Sequence, residues 1–205
     1  MQNVWNESTT AENSSLSFVQ PFNGSDKTVV FFAGHQDSYL LLHNDGALAV
    51  ESFTWSAIVF ADQTSGDGPL FNWITDDPTT FSWATHWWYL WQESIFYARL
   101  LQHGFFNDVT VSLKMKKNEW NEVAVSYDAV SGTMCAAVNA VVTCNPAGIK
   151  GQSLTTGDVV VGSSHYHSVH GKNRHFKGMI TCLKLWRVAK DLRTLQIQTE
   201  GCGIP

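Results

Sequence analysis

The most unusual chemistry in this 205-residue sequence lies in a histidine-rich segment. It contains six candidate ligand-binding residues: His165, Tyr166, His167, His170, Arg174 and His175. Imidazole binds zinc or copper, so one hypothesis is a transition-metal site. A second is a ligand-contacting loop whose charge changes at about pH 6.5. A third is a polar loop over a sheet edge with unconnected histidines, because the spacing matches no named metal motif.

The second candidate is the tryptophan-rich stretch of residues 83–91. Aromatic rings can stack on the apolar face of a sugar or fill the core of a β-sandwich. At a period of two, Trp87, Tyr89 and Trp91 share one face of a strand, and Trp88 and Leu90 share the other. We expect most of these side chains to fill the core. An exposed tryptophan or tyrosine at a binding surface is the alternative.

Charge and composition exclude several classes of protein. Thirteen Lys+Arg against eighteen Asp+Glu give a net charge of -5, so there is no basic excess to neutralise the phosphates of a nucleic acid. With 44% hydrophobic and 15% charged residues, the chain is predicted to fold rather than to be disordered. The uncharged run of residues 129–149 contains Gly, Asn and Pro, which favours a hairpin over a membrane span.

The elements that must position these candidates are β-strands. Five segments have the apolar and β-branched pattern of strands: residues 53–60, 109–115, 122–127, 158–162 and 179–186. Only residues 189–199 have a helix-like pattern. Many short strands separated by turn signals predict an all-β sandwich of antiparallel sheets.

Several features favour an extracellular location. Asn6, Asn13 and Asn23 each begin an N-glycosylation sequon within the first 25 residues. The four cysteines form an even set, as in disulfide-bonded secreted proteins. We therefore expect residues 1–15 to be a flexible, glycosylated tail and residues 16–205 to form a single domain.

The cysteine spacing predicts a disulfide. Cys135 and Cys144 flank two short strands joined by a turn at Asn139-Ala140. Counting outwards from a two-residue turn places the two cysteines opposite each other at a non-hydrogen-bonded position, where side chains are close enough for a disulfide. Cys182 and Cys202 would then form the second bond. Two other connectivities remain open.

Five segments, in the right order, resemble motifs of laminin-G-like and pentraxin-like domains. They are S-F-T-W-S at residues 52–56, W-N-E-V-A-V-S-Y-D at 120–128, V-N-A-V-V at 138–142, V-V-V-G at 159–162, and F-K-G-M-I with L-W at 176–186. The resemblance runs from about residue 16 to residue 202. It implies a jelly-roll sandwich of two antiparallel sheets, as in the concanavalin A-like lectin/glucanase superfamily. One departure is Asn139-Ala140 in place of the usual Asp-Gly, since alanine adopts left-handed backbone only at a cost.

The resemblance also raises the question of calcium. In pentraxin-like domains two acidic stretches supply its oxygen ligands. Asp76 and Asp77 align with the first stretch and are candidate ligands. The second stretch corresponds here to residues 163–170, which contain no carboxylate. The pentraxin site is therefore expected to be absent, whereas a laminin-G-type calcium site with fewer carboxylates stays open.

Taken with the resemblance, these features favour recognition over catalysis. Concanavalin A-like glucanases carry the pattern E-x-D-x-x-E, which this sequence lacks. We expect an extracellular, non-catalytic module that binds glycans in a lectin-like manner through edge loops. Its partner would be a glycan or a cell-surface or matrix glycoprotein, and self-association stays open. The alternative is a protein–protein interaction or cell-adhesion domain of a larger receptor.

Overall fold

The computed structural model of the chain describes residues 2–3, 11–14, 17–19, 29–74, 83–102, 108–146, 150–151, 153–164 and 174–195. For the first three ranges, and for residues 83 and 108, it describes the backbone alone. The strands are β1 (Gln2–Asn3), β2 (Ala11–Ser14), β3 (Ser17–Val19), β4 (Val29–Ala33), β5 (Tyr39–Leu42), β6 (Phe53–Ala61), β7 (Gly68–Ile74), β8 (Trp83–Leu90), β9 (Ile95–Leu101), β10 (Asp108–Lys114), β11 (Trp120–Asp128), β12 (Thr133–Val138), β13 (Val141–Asn145), β14 (Val159–Val161) and β15 (Lys177–Trp186).

The strands form two antiparallel sheets. The eight-stranded sheet has the order β13-β12-β11-β6-β15-β4-β3, and β1 also pairs with β15. The seven-stranded sheet has the order β10-β9-β8-β7-β14-β5-β2. The predicted all-β sandwich is confirmed, and each of the five predicted strands overlaps an observed one.

The prediction of a helix over residues 189–199 is wrong for its described part. Residues 192–194 form a turn, in which the Thr194 amide donates to the Asp191 carbonyl. Leu192 is buried against Ile58 and Ala124 on the outer face of the eight-stranded sheet. This segment therefore covers a sheet face as irregular chain. No helix long and apolar enough to cross a membrane occurs in the described ranges.

Large aromatic side chains fill the space between the sheets. Phe53 of β6 lies 5.9 Å from Trp73 of β7 and 5.6 Å from Trp87 of β8, measured between ring centroids. Trp55 lies 6.1 Å from Trp87. These rings are fully buried because alternate residues of each strand point between the sheets.

The predicted faces of the tryptophan-rich stretch are partly correct. Trp87 and Tyr89 are fully buried in the core. Trp91 does not share their face, because β8 ends at Leu90 and Trp91 lies in the following turn, where it is 46% exposed. The alternation that applies within a strand stops at the strand end.

Two short strands lie within the predicted N-terminal tail. β1 pairs with β15, and β2 pairs with β5, where Asn13 lies opposite Leu40. Asn6 and Asn23 lie outside the described residues. The glycosylation of the three asparagines and the boundary after residue 15 stay predictions.

The β12–β13 hairpin has the predicted register and disulfide. Cys135 lies opposite Cys144, with a Cα–Cα distance of 4.0 Å, and the two are bonded. Asn139 and Ala140 have φ angles of 48° and 68°, the left-handed pair that a type I′ turn requires. Cys182 is also disulfide-bonded. Its predicted partner, Cys202, lies outside the described residues.

We expect the disulfide to offset the cost of alanine in this turn. Replacing both cysteines (Cys135→Ala with Cys144→Ala) should lower the melting temperature, because the cross-link restricts the unfolded chain by on the order of 2 kcal/mol. Ala140→Gly should raise the melting temperature, since glycine adopts positive φ without a steric cost. Thermal unfolding followed by circular dichroism measures both.

Ala137→Gly in the neighbouring strand is the control. It should lower the melting temperature, because glycine weakens a strand interior. An unchanged melt after removal of both cysteines would contradict a stabilising role for the bond.

Candidate functional site

Most of the predicted ligand-binding residues lie outside the described part of the chain. These are Asp76, Asp77, His165, Tyr166, His167 and His170. No group of three His, Cys, Asp or Glu side chains that could hold a metal ion occurs among the residues that are described. The metal hypotheses therefore stay predictions, and of the predicted set only Arg174 and His175 can be placed.

Arg174 and His175 lie at the base of the histidine-rich segment, beside the start of β7. Ser163 and His175 form a β-bridge, and the Ser163 Oγ lies 2.9 Å from the His175 Nδ1. The Gly162 amide donates to the Pro69 carbonyl at 2.8 Å. Gly162 has a φ of +91°, and a Cβ there would lie 2.1 Å from the ring of Phe32, so only glycine fits. Asp76 and Asp77 follow the other end of β7, after Ile74.

Arg174 connects the histidine-rich segment with the tryptophan-rich strand. Its guanidinium carbon lies 5.4 Å from the centroid of the Trp88 ring, within the range of a cation–π contact. The described end of the histidine-rich segment is therefore adjacent to the tryptophan-rich strand on the outer face of the seven-stranded sheet.

Strand register builds a cluster around this contact. Asn72 of β7 lies opposite His86 of β8, which lies opposite Arg99 of β9, and Trp88 lies opposite Tyr97. Directly opposed residues share a face, so these five side chains and Arg174 form one group. We call it the outer-face cluster. Within it the Trp88 Nε1 donates to the Asn72 Oδ1 at 3.3 Å, and the His86 ring lies 5.7 Å from the Trp88 ring.

The centre of the outer-face cluster is closed. Asn72, His86 and Trp88 are only 2–3% exposed, so the Trp88 ring cannot serve as an open stacking surface. Tyr97, Arg99 and Arg174 are half-buried and form its rim. Our reading of the sequence missed Asn72, His86, Tyr97 and Arg99. The alternation of β9 could have predicted that Tyr97 and Arg99 point outward, because they flank the core residue Ala98.

A more accessible arrangement lies in three loops at one end of the sandwich, residues 62–67, 91–94 and 115–119, which we call the tip loops. Hydrogen bonds join them to one another. The Gln63 amide donates to the Asn118 Oδ1 at 2.8 Å, and the Met115 amide donates to the Ser94 carbonyl at 2.8 Å. The Trp91 amide donates to the Asp67 Oδ1, also at 2.8 Å. The backbone that carries Trp91 is therefore anchored.

Trp91 presents an accessible indole on this support. Among the tryptophans whose side chains the structure describes, Trp91 is the most exposed, with 46% of the residue's surface accessible. The Lys117 ammonium lies 5.8 Å from its ring centroid, and the half-buried Asp67 carboxylate lies beside its backbone. The tip loops thus combine an aromatic ring, a cationic donor and an anionic acceptor. From the sequence, Trp91 was predicted to share a strand face with Trp87 and Tyr89, with an exposed tryptophan as the alternative, and neither Lys117 nor Asp67 was singled out.

Most charges around the tip loops are paired. Lys114 lies 3.7 Å from Glu93, Lys116 lies 3.1 Å from Glu119, and Lys177 lies 3.7 Å from Asp62. Lys117 has no carboxylate within 4 Å among the described residues. The pKa of Asp62 is lowered from its usual 3.8, mainly by the Thr64 hydroxyl and amide that donate to it and further by Lys177.

The family follows from a comparison of the sequence with known families. A laminin G model described as the concanavalin A-like lectin/glucanases superfamily matches residues 32–195. The chain belongs to this superfamily. A search of curated proteins gave no significant match to the concanavalin A-like domain.

Solved structures share the fold of this concanavalin A-like domain at low sequence identity. The binding domain of botulinum neurotoxin serotype D has a TM-score of 0.68 and 10% identity, covering 94% of this chain and 47% of that one. Botulinum neurotoxin type C, whose cell entry is dependent upon interaction with two ganglioside molecules, has a TM-score of 0.64 and 9% identity, covering 95% and 47%. A heptameric SAP-like pentraxin from Limulus polyphemus has a TM-score of 0.49 and 15% identity, covering 87% and 77%. The chain thus spans less than half of the two toxin structures.

Asp62 makes the tip loops sensitive to acid. Its folded-state pKa is lowered, so it stabilises the folded state above pH 3.8, and this contribution is lost as the pH falls through the folded-state value. Asp62→Asn should lower the melting temperature at pH 7 by up to about 3 °C, since exposed pairs contribute little. The difference from the wild type should shrink as the pH falls below 3.8.

Melting curves from pH 2 to pH 8 test this expectation. Glu51→Gln is the matched control, because Glu51 is exposed and makes no ion pair with any described residue. A melting-temperature difference between Asp62→Asn and wild type that persists unchanged at low pH would show that the carboxylate charge is not responsible.

Proposed function

We propose that this chain is an extracellular, non-catalytic recognition module that binds glycans through its tip loops. The observation that carries the proposal is the exposed Trp91 ring beside Lys117 and Asp67. The apolar face of a sugar ring packs against an aromatic face, while its hydroxyl groups need both donors and acceptors. Trp91, Lys117 and Asp67 offer all three within neighbouring loops.

The anchoring of Trp91 supports this use of the ring. A ligand gains affinity from a contact group that is already ordered, because less conformational entropy is lost on binding. The Trp91 amide is bound by Asp67, and the same loop is bound to Met115 through Ser94. The indole is therefore presented from fixed backbone while its ring stays accessible to solvent.

The similarity to toxin binding domains is compatible with glycan recognition. One of these toxins interacts with gangliosides, which are lipids with carbohydrate head groups. At 9% identity the similarity concerns the fold, so the proposal for this chain depends on its own side chains.

Two of the described carboxylates are unsuited to act as the general acid of a glycosidase. Glycoside hydrolysis needs a carboxylic acid whose pKa is raised so that it can donate a proton. The pKa of Asp62 and that of Asp128 are instead lowered, in Asp128 mainly by the Ser131 hydroxyl and the Val130 amide. Both stay ionised at neutral pH and are poor proton donors. The Cys135–Cys144 disulfide and the three sequons support an extracellular location.

Trp91→Ala should weaken glycan binding by about three- to tenfold, because the aromatic contact is removed. Trp91→Phe should retain most of the binding, since an aromatic face remains. The measurement is a glycan array with fluorescently labelled, disulfide-intact protein, followed by titration of the strongest hits.

Val141→Ser is the control, because Val141 is 60% exposed on the β12–β13 hairpin and lies outside the tip loops. Repeating the array with a chelator tests the calcium prediction for Asp76 and Asp77, since a calcium-dependent site would lose its hits. A blank array from folded wild-type protein, or hits that Trp91→Ala leaves unchanged, would refute binding through the tip loops.

A second candidate function, protein–protein interaction, has its own supporting observation. On the outer face of the eight-stranded sheet, Trp120 lies opposite Phe60, Phe60 opposite Met179, and Met179 opposite Phe31. All four side chains are half-buried, and the Phe60 and Trp120 rings lie 5.5 Å apart. We call this set the apolar row. Partly exposed apolar surface that crosses several strands is typical of protein contacts.

If the apolar row mediates self-association, Met179→Glu should shift the chain towards monomer, because a carboxylate would have to be desolvated in the contact. Sedimentation velocity over a range of protein concentrations measures this. Val130→Glu is the control, since Val130 is 82% exposed at another site. Concentration-independent monomer behaviour of the wild type would count against self-association through the row.

A further inference from the structure

We infer that the Trp91 site prefers a sugar that carries an anionic group, a carboxylate or a sulfate, and that Lys117 binds this group. The inference rests on the proposed function and specifies the class of glycan. The contacts of Trp91 with Lys117 and Asp67 define the site.

The Lys117 ammonium lies over the Trp91 ring, 5.8 Å from its centroid. A sugar packed against that ring would place its ring substituents near the edge of the indole, where a flexible lysine side chain can reach them. Lysine is a compact point charge with three donors, which suits a carboxylate or a sulfate equally.

The lysines near Lys117 already have carboxylate partners. Lys114 and Lys116 each have a carboxylate partner within 4 Å, as does Lys177 at the edge of the same surface. An anionic ligand that paired with one of these lysines would have to compete with Glu93, Glu119 or Asp62. Lys117 has no such partner among the described residues, so a ligand would meet it without competition from a carboxylate.

Asp67 places a negative group beside the Trp91 backbone. One of its oxygens accepts the Trp91 amide hydrogen at 2.8 Å. Its charge opposes an incoming anion, so Lys117 and Asp67 act in opposite directions. Removing each charge in turn should therefore change the affinity for an anionic sugar with opposite signs. An asparagine at position 67 keeps a side-chain oxygen that can accept the same hydrogen bond.

The test uses three probes with one sugar core: lactose, 3′-sialyllactose and 3′-sulfolactose. Lactose is neutral, 3′-sialyllactose adds a carboxylate, and 3′-sulfolactose adds a sulfate. Comparing the three probes therefore shows which anionic group the site prefers. Binding to the full chain is measured by titration calorimetry or by NMR chemical shifts at low and at physiological salt. The variants are Lys117→Gln, Asp67→Asn and Trp91→Ala. Lys150→Gln, an exposed lysine outside the tip loops, is the matched control.

The wild type should bind one or both charged probes more tightly than lactose. Lys117→Gln should weaken charged-probe binding by about three- to fivefold, the size of a solvent-exposed ion pair, and should weaken lactose binding by less. Asp67→Asn should strengthen binding of the charged probe by about twofold, within the same range of exposed interactions. Both effects should shrink as salt rises, because exposed charges are screened. Lys150→Gln should bind like the wild type.

Two results would overturn the inference. If lactose binds as tightly as the charged probes and Lys117→Gln has no effect, while Trp91→Ala still loses binding, the anionic preference is refuted and the proposed function stands. If Trp91→Ala binds every probe as the wild type does, the site itself is refuted and both proposals fail. Absence of binding by all three probes at about 10 mM also refutes the inference. Even a weak site, with a dissociation constant of about 1 mM, would be mostly occupied at that concentration.

Discussion

The packing of large aromatic side chains between the two sheets is the interaction on which the rest of the structure depends. Phe53, Trp55, Trp73 and Trp87 are fully buried and lie within 5.6–6.1 Å of one another in the measured pairs. Each such ring removes on the order of 150–250 Å² from water. Because a strand points alternate side chains to opposite faces, directing these rings inward also decides which residues point outward.

The outward residues therefore form two surfaces with different chemistry. On the seven-stranded sheet, His86 and Trp88 alternate with core residues of β8 and join Asn72, Tyr97, Arg99 and Arg174 in the outer-face cluster. On the eight-stranded sheet, the outward positions carry the apolar row and a stretch covered by Leu192. The first surface is polar with a closed centre, and the second is partly open and apolar. Because the second surface is apolar, protein binding is a second candidate function beside glycan binding.

The tip loops differ from both surfaces because strand alternation does not govern them. Their conformation depends on hydrogen bonds between loops that are distant in the sequence, such as Gln63 with Asn118 and Trp91 with Asp67. These bonds order the backbone while the Trp91 ring remains accessible. A recognition site needs this combination of fixed backbone and accessible side chain. The sheets supply the rigid base, and the loops supply the chemistry.

Local patterns in the sequence determined the fold and much of its detail. Period-two segments located five of the strands, and the spacing of Cys135 and Cys144 around Asn139-Ala140 placed the hairpin register, because both depend on near neighbours in the chain. The histidine-rich segment and the tryptophan-rich stretch were also visible as compositions. Their meeting through Arg174 and Trp88 was not, since that contact joins residues 86 positions apart and depends on which strands become neighbours. The exposure of Trp91 likewise depends on where β8 ends and on the loops that pack beside it. Only the tertiary structure decided these features, because they arise from long-range strand order and loop contacts that no local pattern encodes.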